Sequence, residues 1–164
     1  MKKTLLLFIL ISSVSFGQKK LDKLLNKFNK NKVPYISVDS LSSEKKKAIL
    51  LDAREAKEYN VSHLKDAICV GYDHFDLQKT IEKLPTDKNA KIVVYCSLGI
   101  RSEIVADKLI KAGYTNVYNL YGGIFEWKNN NFQVMDTLGN TTEKVHTFNE
   151  DWSKWLTKGE KVYE

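Results

Sequence analysis

The stretch Lys91-Ile-Val-Val-Tyr-Cys96-Ser-Leu-Gly99-Ile-Arg101-Ser-Glu-Ile-Val-Ala-Asp-Lys-Leu-Ile-Lys111 decides how this chain is read. Ile92, Val93, Val94 and Tyr95 make a short β-branched and aromatic run, the pattern of a strand buried on both faces. From Ser102 the spacing turns helical, with Ile104, Val105, Leu109 and Ile110 on one face and charges on the other. Between strand and helix lies a tight loop that opens on Cys96. At the amino end of a helix, unpaired N–H groups and the helix dipole favour negative charge. A cysteine there tends to ionise, its pKa falling from about 8.5 toward or below neutrality. Gly99 admits backbone angles closed to other residues, so several N–H groups can turn toward one point. An arbitrary cysteine is more often a small buried hydrophobe. This position, followed by Gly99, Arg101 and Ser102, instead points to a nucleophile in an anion cradle.

Loop length narrows the chemistry. Four residues separate Cys96 from Arg101. The corresponding loop of cysteine phosphatases is one residue longer and rings a tetrahedral phosphate, whereas the shorter loop has room for a sulfur bonded to Cys96. At this point the sequence resembles the rhodanese-like family, single-domain sulfurtransferases with a six-residue active loop running from Cys to Arg.

The resemblance extends to both sides of the loop. Ala48-Ile-Leu-Leu-Asp52-Ala-Arg54-Glu55, with Glu58-Tyr59 and His63-Leu-Lys-Asp-Ala67-Ile68, is similar to the amino-terminal signature of that family. Asn119-Leu-Tyr-Gly122-Gly123-Ile-Phe-Glu-Trp127 is similar to its carboxyl-terminal signature, where two glycines introduce the last helix. Together these span residues 33–131, the size of one compact domain. The chain departs from the pattern around His63, where Ser62 precedes it and Leu64-Lys65-Asp66 follow, and at Cys69, where an Asn is common.

What the resemblance implies is an α/β, rhodanese-like three-layer fold, with a mostly parallel central sheet and helices on both faces. It also implies an enzyme. Cys96 would be catalytic, and Ser97, Leu98, Gly99, Ile100, Arg101 and Ser102 would surround the substrate sulfur. The expected reaction takes sulfane sulfur from a small anionic donor such as thiosulfate onto Cys96 as a persulfide, then passes it to a thiol or cyanide acceptor. A protein thiol is a further candidate acceptor. Neither a metal nor an organic cofactor is implied, and a monomer is expected. Two roles are open to Arg101, binding the donor's oxyanion or turning outward to brace the loop. Two other function classes remain: a binding or regulatory module that keeps the fold without turnover, and a phosphatase or arsenate reductase on the same scaffold.

The strand and helix patterns agree with this architecture. Strands are predicted at 35–38, 48–52, 67–70, 91–95 and 116–120, and helices near 41–46, 56–60, 75–84, 102–112 and 123–129. Gly113 reads as a left-handed helix cap and Pro85 as a stop. In parallel sheets covered on both faces, ligands gather at the carboxyl ends of the strands, which is where Cys96 falls.

The rest of the chain reads as attachments to one core. Of 164 residues, 43% are hydrophobic, ample for a single domain. Met1-Lys2-Lys3, the apolar run Thr4 to Ile11 and the small residues Ser15 and Gly17 have the pattern of a secretion signal over 1–17, cleaved after Gly17. That run is too short for a comfortable membrane span, so the expected location is the periplasm with no stable membrane anchor. Losing Lys2 and Lys3 lowers the net charge from +6 to +4. The lysines are scattered or helical, which argues against nucleic acid as a partner. Residues 18–32 form a lysine-rich amphipathic segment with Leu21, Leu24, Leu25 and Phe28 on one helical face.

Residues 132–164 lie outside the family pattern. Here a hairpin is predicted to pair 132–135 with 143–146 around Leu138-Gly139-Asn140, and a capped short helix to follow from Asn149. This extension is expected to cover apolar surface, with partner docking through Trp152 and Trp155 as the rival reading. Asp52 is expected as a structural acceptor, His63 as a cap on a local turn, and His74 and His146 on the surface. Three histidines and two cysteines, all widely spaced, offer no metal-site pattern. Cys69 is expected to stay free of Cys96, because the two lie on different strands.

Overall fold

The computed structural model describes residues 18–44 and 47–163. The secretion-signal pattern over 1–17 lies outside the described residues. The chain divides into two units at the Asn31–Lys32 junction. In the first, residues 18–28 are helical (α1), as the leucine spacing predicts.

The second unit is built on five parallel strands in the order β1-β5-β4-β2-β3. These are β1 (Tyr35–Ile36), β2 (Ile49–Asp52), β3 (Ile68–Cys69), β4 (Ile92–Tyr95) and β5 (Val117–Leu120). Helices α2 (Val38–Glu44), α3 (Ala56–Val61), α4 (Leu77–Ile81), α5 (Arg101–Lys111) and α6 (Gly123–Asn129) alternate with them. The sheet is wholly parallel. Its middle strand is β4, paired with β2 on one side and β5 on the other. All four β4 residues are fully buried, as a strand covered on both faces requires. Ile92 and Val94 pack with Val105, Ala106 and Leu109 of α5 on one face, so Val93 and Tyr95 point to the other.

Within the five-stranded fold, three predicted elements differ in their limits by more than one residue: the strand at 35–38, the helix at 41–46 and the helix at 75–84. The first strand stops at Ile36 and Val38 opens α2, because the Ser37 hydroxyl accepts the Ser40 N–H (3.2 Å) and starts a helix there. Helix α4 spans 77–81 rather than 75–84. Asp76 caps its start by accepting the Lys79 N–H (3.1 Å), and the chain leaves α-geometry in tighter turns before Pro85. Gly113 does follow α5 in left-handed geometry (φ +94).

The hairpin of the extension is shorter than predicted. Strand β6 (Val134–Met135) pairs antiparallel with β7 (Thr141–Thr142), not with 143–146. Asp136 tightens the turn by accepting the N–H groups of Leu138 and Asn140 (2.9 Å each), which brings Thr141 opposite Met135. Strand β8 (Lys144–His146) is thereby left for a different partner and runs parallel to β9 (Glu160–Val162). The crossover between them carries α7 (Glu150–Ser153), capped by the Asn149 side chain as predicted. Val134, Val145 and Leu156 are fully buried, and β8 packs beside α3. His63 joins this layer as well, exchanging backbone hydrogen bonds with Met135 (2.9 and 2.8 Å).

Candidate active site

Cys96 follows the last residue of β4, and α5 begins at Arg101, so the loop occupies the strand-to-helix turn. Its shape depends on a close approach by the start of α6. The Cys96 carbonyl accepts the Ile124 N–H (2.9 Å) and the Ser97 carbonyl the Phe125 N–H (3.2 Å). Gly123 passes so near that a Cβ there would lie 2.2 Å from the Cys96 oxygen. This contact is the physical reason for glycine at 123, and Gly122 before it holds left-handed geometry (φ +69).

Inside the loop the sulfur meets donors. Gly99 (φ +105) aims its N–H at Cys96 Sγ at 3.1 Å, and Ser102 Oγ lies 3.5 Å from the same sulfur. Asn119, at the end of β5, fixes both residues: its Nδ2 donates to the Gly99 carbonyl (2.8 Å) and its Oδ1 accepts from Ser102 Oγ (2.7 Å). Cys96 itself is 2% exposed. Burial alone would push its thiol up. The Arg101 charge and the hydrogen bonds from Ser102 and Gly99 outweigh that, holding it below its ordinary value.

Arg101 is engaged by a buried carboxylate. Its Nη1 and Nη2 donate to the two carboxylate oxygens of Glu58, both at 2.7 Å, and Nη2 also reaches Ser97 Oγ (3.2 Å). These contacts brace the loop, and Arg101 also lines the cavity over it. Glu58 is fully buried. It sits in the first turn of α3, where its carboxylate also accepts the Glu55 N–H (3.1 Å) as half of a capping box. Burial pushes its carboxyl up, and the Arg101 contacts more than reverse this, leaving it below the usual carboxylate range.

A second buried pair lies under the neighbouring strand. Asp52, at the end of β2, accepts the Arg54 N–H (3.0 Å) and pairs with its guanidinium (Nη2–Oδ2 2.6 Å), both side chains fully buried. Arg54 Nη2 also donates to the Ser62 carbonyl (2.6 Å), tying β2 to the turn after α3. Asp52 is therefore structural, as expected.

The mouth of the site is where the sequence reading falls short. A cavity of about 210 Å³ opens over the loop, lined by Cys96, Ser97, Leu98, Ile100 and Arg101 from the loop and by Phe148 and Trp152 from the extension. The Phe148 ring lies across the Arg101 guanidinium, 5.5 Å from its carbon to the ring centroid. Phe148 holds a left-handed backbone (φ +66), a conformation that costs a side-chain-bearing residue about 1–2 kcal/mol. Its N–H donates to His146 Nδ1 (3.0 Å), which secures the turn. His146 was expected on the surface. It is 2% exposed, because β8 is a buried strand and not the outer arm of a hairpin. His74 is exposed, and the His63 ring, stacked on Tyr59 at 3.9 Å, donates from Nδ1 to the Tyr59 carbonyl (3.1 Å).

Every loop residue singled out in the sequence, Cys96 to Ser102, is gathered at this site. Glu58, Asn119 and Phe148 were not assigned roles there. Glu58 and Asn119 lie inside the two flanking signatures, which is the one trace of them in the sequence; nothing in the spacing of Phe148 marks it. Cys69 is free and partly buried, and burial pushes its thiol up. It pairs in register with Asp52, and Asp52 with Tyr95, so Cys69 and Cys96 stand two strands apart. Two strand spacings are about 9–10 Å, beyond the reach of a disulfide. Among the described residues no cluster of His, Cys, Asp and Glu could hold a metal ion, and no helix is long and apolar enough to cross a membrane.

Known proteins resemble this chain in sequence and fold. The rhodanese-like domain model matches residues 37–130. Over 82 residues the chain is 42% identical to a tRNA uridine(34) hydroxylase of Hamiltonella defensa, covering 49% of this chain and 23% of that protein. Over 115 residues it is 37% identical to the adenylyltransferase and sulfurtransferase UBA4 of Candida albicans, covering 68% of this chain and 26% of that one. The chain thus spans about a quarter of the length of these curated relatives. A rhodanese-related protein of Thermoplasma volcanium superposes with a TM-score of 0.55 at 25% identity, over 62% of this chain and 97% of its own. With the model matching more than half of its length and the Cys96 loop set between both signatures, this chain belongs to the rhodanese-like domain family.

Proposed function

We propose that the protein is a sulfurtransferase that carries sulfane sulfur as a persulfide on Cys96. The observation that carries this reading is the Cys96 sulfur itself, which is buried, held below its ordinary pKa and approached by the Gly99 N–H at 3.1 Å. Such a thiolate attacks the outer sulfur of thiosulfate or another sulfane donor. The donor's sulfur–sulfur bond breaks, its electron pair leaves with sulfite, and a Cys96 persulfide anion remains. Backbone N–H groups of the loop then stabilise the charged outer sulfur as an oxyanion hole stabilises oxygen. An acceptor thiol, or cyanide in an assay, takes that sulfur and restores the thiolate. Residues 1–17 extend the proposal to export into the periplasm, which the mass of the chain recovered from that compartment tests.

The deciding measurement is intact mass after incubation with thiosulfate and, separately, with inorganic polysulfide. One added sulfur atom that is absent in Cys96→Ser supports the reading. A protein left unmodified by both donors, or an added sulfur that survives Cys96→Ser, overturns it. Cys96-dependent hydrolysis of an aryl phosphate without any sulfur loading would favour the phosphatase reading instead.

A further inference from the structure

The C-terminal extension supplies one wall of the cavity above Cys96, and its chemistry differs from that of the loop. Phe148 and Trp152 face Leu98 and Ile100 across a space of about 210 Å³, large enough for a ring-sized group. Among the described residues lining it, Arg101 is the only cationic side chain. Its charge is already met by the bidentate contact with Glu58, and the Phe148 ring covers its face. A charged substituent entering here, on an acceptor as on thiosulfate itself, leaves water without a free counter-charge to meet, a cost that an apolar acceptor does not bear. An apolar or aromatic substituent would bury its surface against two rings and two aliphatic side chains.

We infer that the extension makes the site selective for a small thiol acceptor bearing an apolar or aromatic group. This deepens the sulfur-transfer reading and rests on it. In the step concerned, the acceptor sulfur attacks the outer sulfur of the Cys96 persulfide. The persulfide bond breaks, its electron pair returns to Cys96 as thiolate, and a new sulfur–sulfur bond forms on the acceptor. The thiol proton ends on the transferred sulfur, so charge is conserved and no outside oxidant or reductant is needed.

Phe148 is a specificity-determining residue in this scheme. Its left-handed backbone places the ring over the site, and the N–H to His146 Nδ1 bond keeps it there. Glycine suits that backbone better than phenylalanine does, so Phe148→Gly removes the ring without adding strain.

The experiment loads the full chain with sulfur and follows discharge by intact mass, using phenylmethanethiol and 2-mercaptoethanesulfonate as acceptors. Each rate is divided by the same thiol's rate with a free cysteine persulfide, which removes intrinsic reactivity. The expected result is a corrected preference for phenylmethanethiol that falls about three- to tenfold in Phe148→Gly and in Trp152→Ala. Thermal melts of both variants establish that they are folded. A loaded wild-type protein with no corrected preference, or a preference unchanged in both folded variants, overturns the inference and leaves sulfur transfer standing. Failure to load from thiosulfate and from polysulfide overturns both.

Discussion

Arg101 and Glu58, 43 residues apart, form a bidentate ion pair with both N–O distances at 2.7 Å, the carboxylate fully buried behind the loop. The pair joins the start of α5 to the first turn of α3. It holds the loop's closing residue in place while leaving its charge within range of Cys96.

Breaking this pair from the Glu58 side should be costly. Glu58→Gln leaves a largely buried guanidinium without its counter-charge, and a loss of about 3 kcal/mol is expected in urea unfolding at neutral pH. The folded-state carboxyl lies below its unfolded value of about 4.3, so its contribution is present above that pH and is lost as pH falls through the folded value. Melting temperature plotted against pH should fall in this acid window for the wild type. The variant should start lower and show a shallower fall; parallel curves would contradict the assignment.

Cys96 should be alkylated as a thiolate at a pH where ordinary thiols are still protonated. The rate of iodoacetamide reaction against pH should have its midpoint below that of free cysteine. Arg101→Ala should move the midpoint upward for two reasons that add: the cation is gone, and the Glu58 anion is left uncompensated nearby. An unmoved midpoint would show that the Gly99 and Ser102 hydrogen bonds act alone.

Two glycines that both hold a positive φ should respond very differently to alanine. Gly123 (φ +55) has backbone atoms of Cys96 and Ser97 within 2.7 Å of any added Cβ, so Gly123→Ala must displace the loop and should abolish sulfur loading. Gly113 (φ +94) has nothing within 4 Å, so only the conformational cost of about 1 kcal/mol is expected, with loading intact. Equal losses in both variants would mean that strain, not the close approach, sets the requirement at Gly123.

Mild oxidation should not join the two cysteines. Cys69 stands on β3 with β2 between it and β4, and its thiol is pushed up by burial. After treatment with diamide, peptide mapping should recover no Cys69–Cys96 disulfide. Finding one would require the sheet to open.

Short-range patterns carried most of the scaffold. The apolar run at 92–95, the helical spacing after Ser102 and the glycines at 113 and 122–123 each express a local backbone preference. Five strands and the helices between them follow from such preferences, with errors only at ends. Val38 joined a helix because the Ser37 hydroxyl captured a nearby N–H, a competition that β-propensity does not register. The extension was harder to read. Pairing of 144–146 with 160–162 is non-local, and alternation of apolar residues says that a strand exists without saying which strand it meets.

The same division runs through the site. By itself the sequence determined the Cys96 loop and its strand-to-helix setting, because four intervening residues, Gly99 and the helix that follows act within one short segment. Tertiary structure alone decided what surrounds that segment. Glu58, Asn119 and Phe148 come from α3, β5 and the turn after β8, and their distances to Cys96 and Arg101 depend on how the sheet and extension pack. Folding also placed a buried carboxylate 2.7 Å from Arg101, a contact between α3 and α5 that no local pattern encodes.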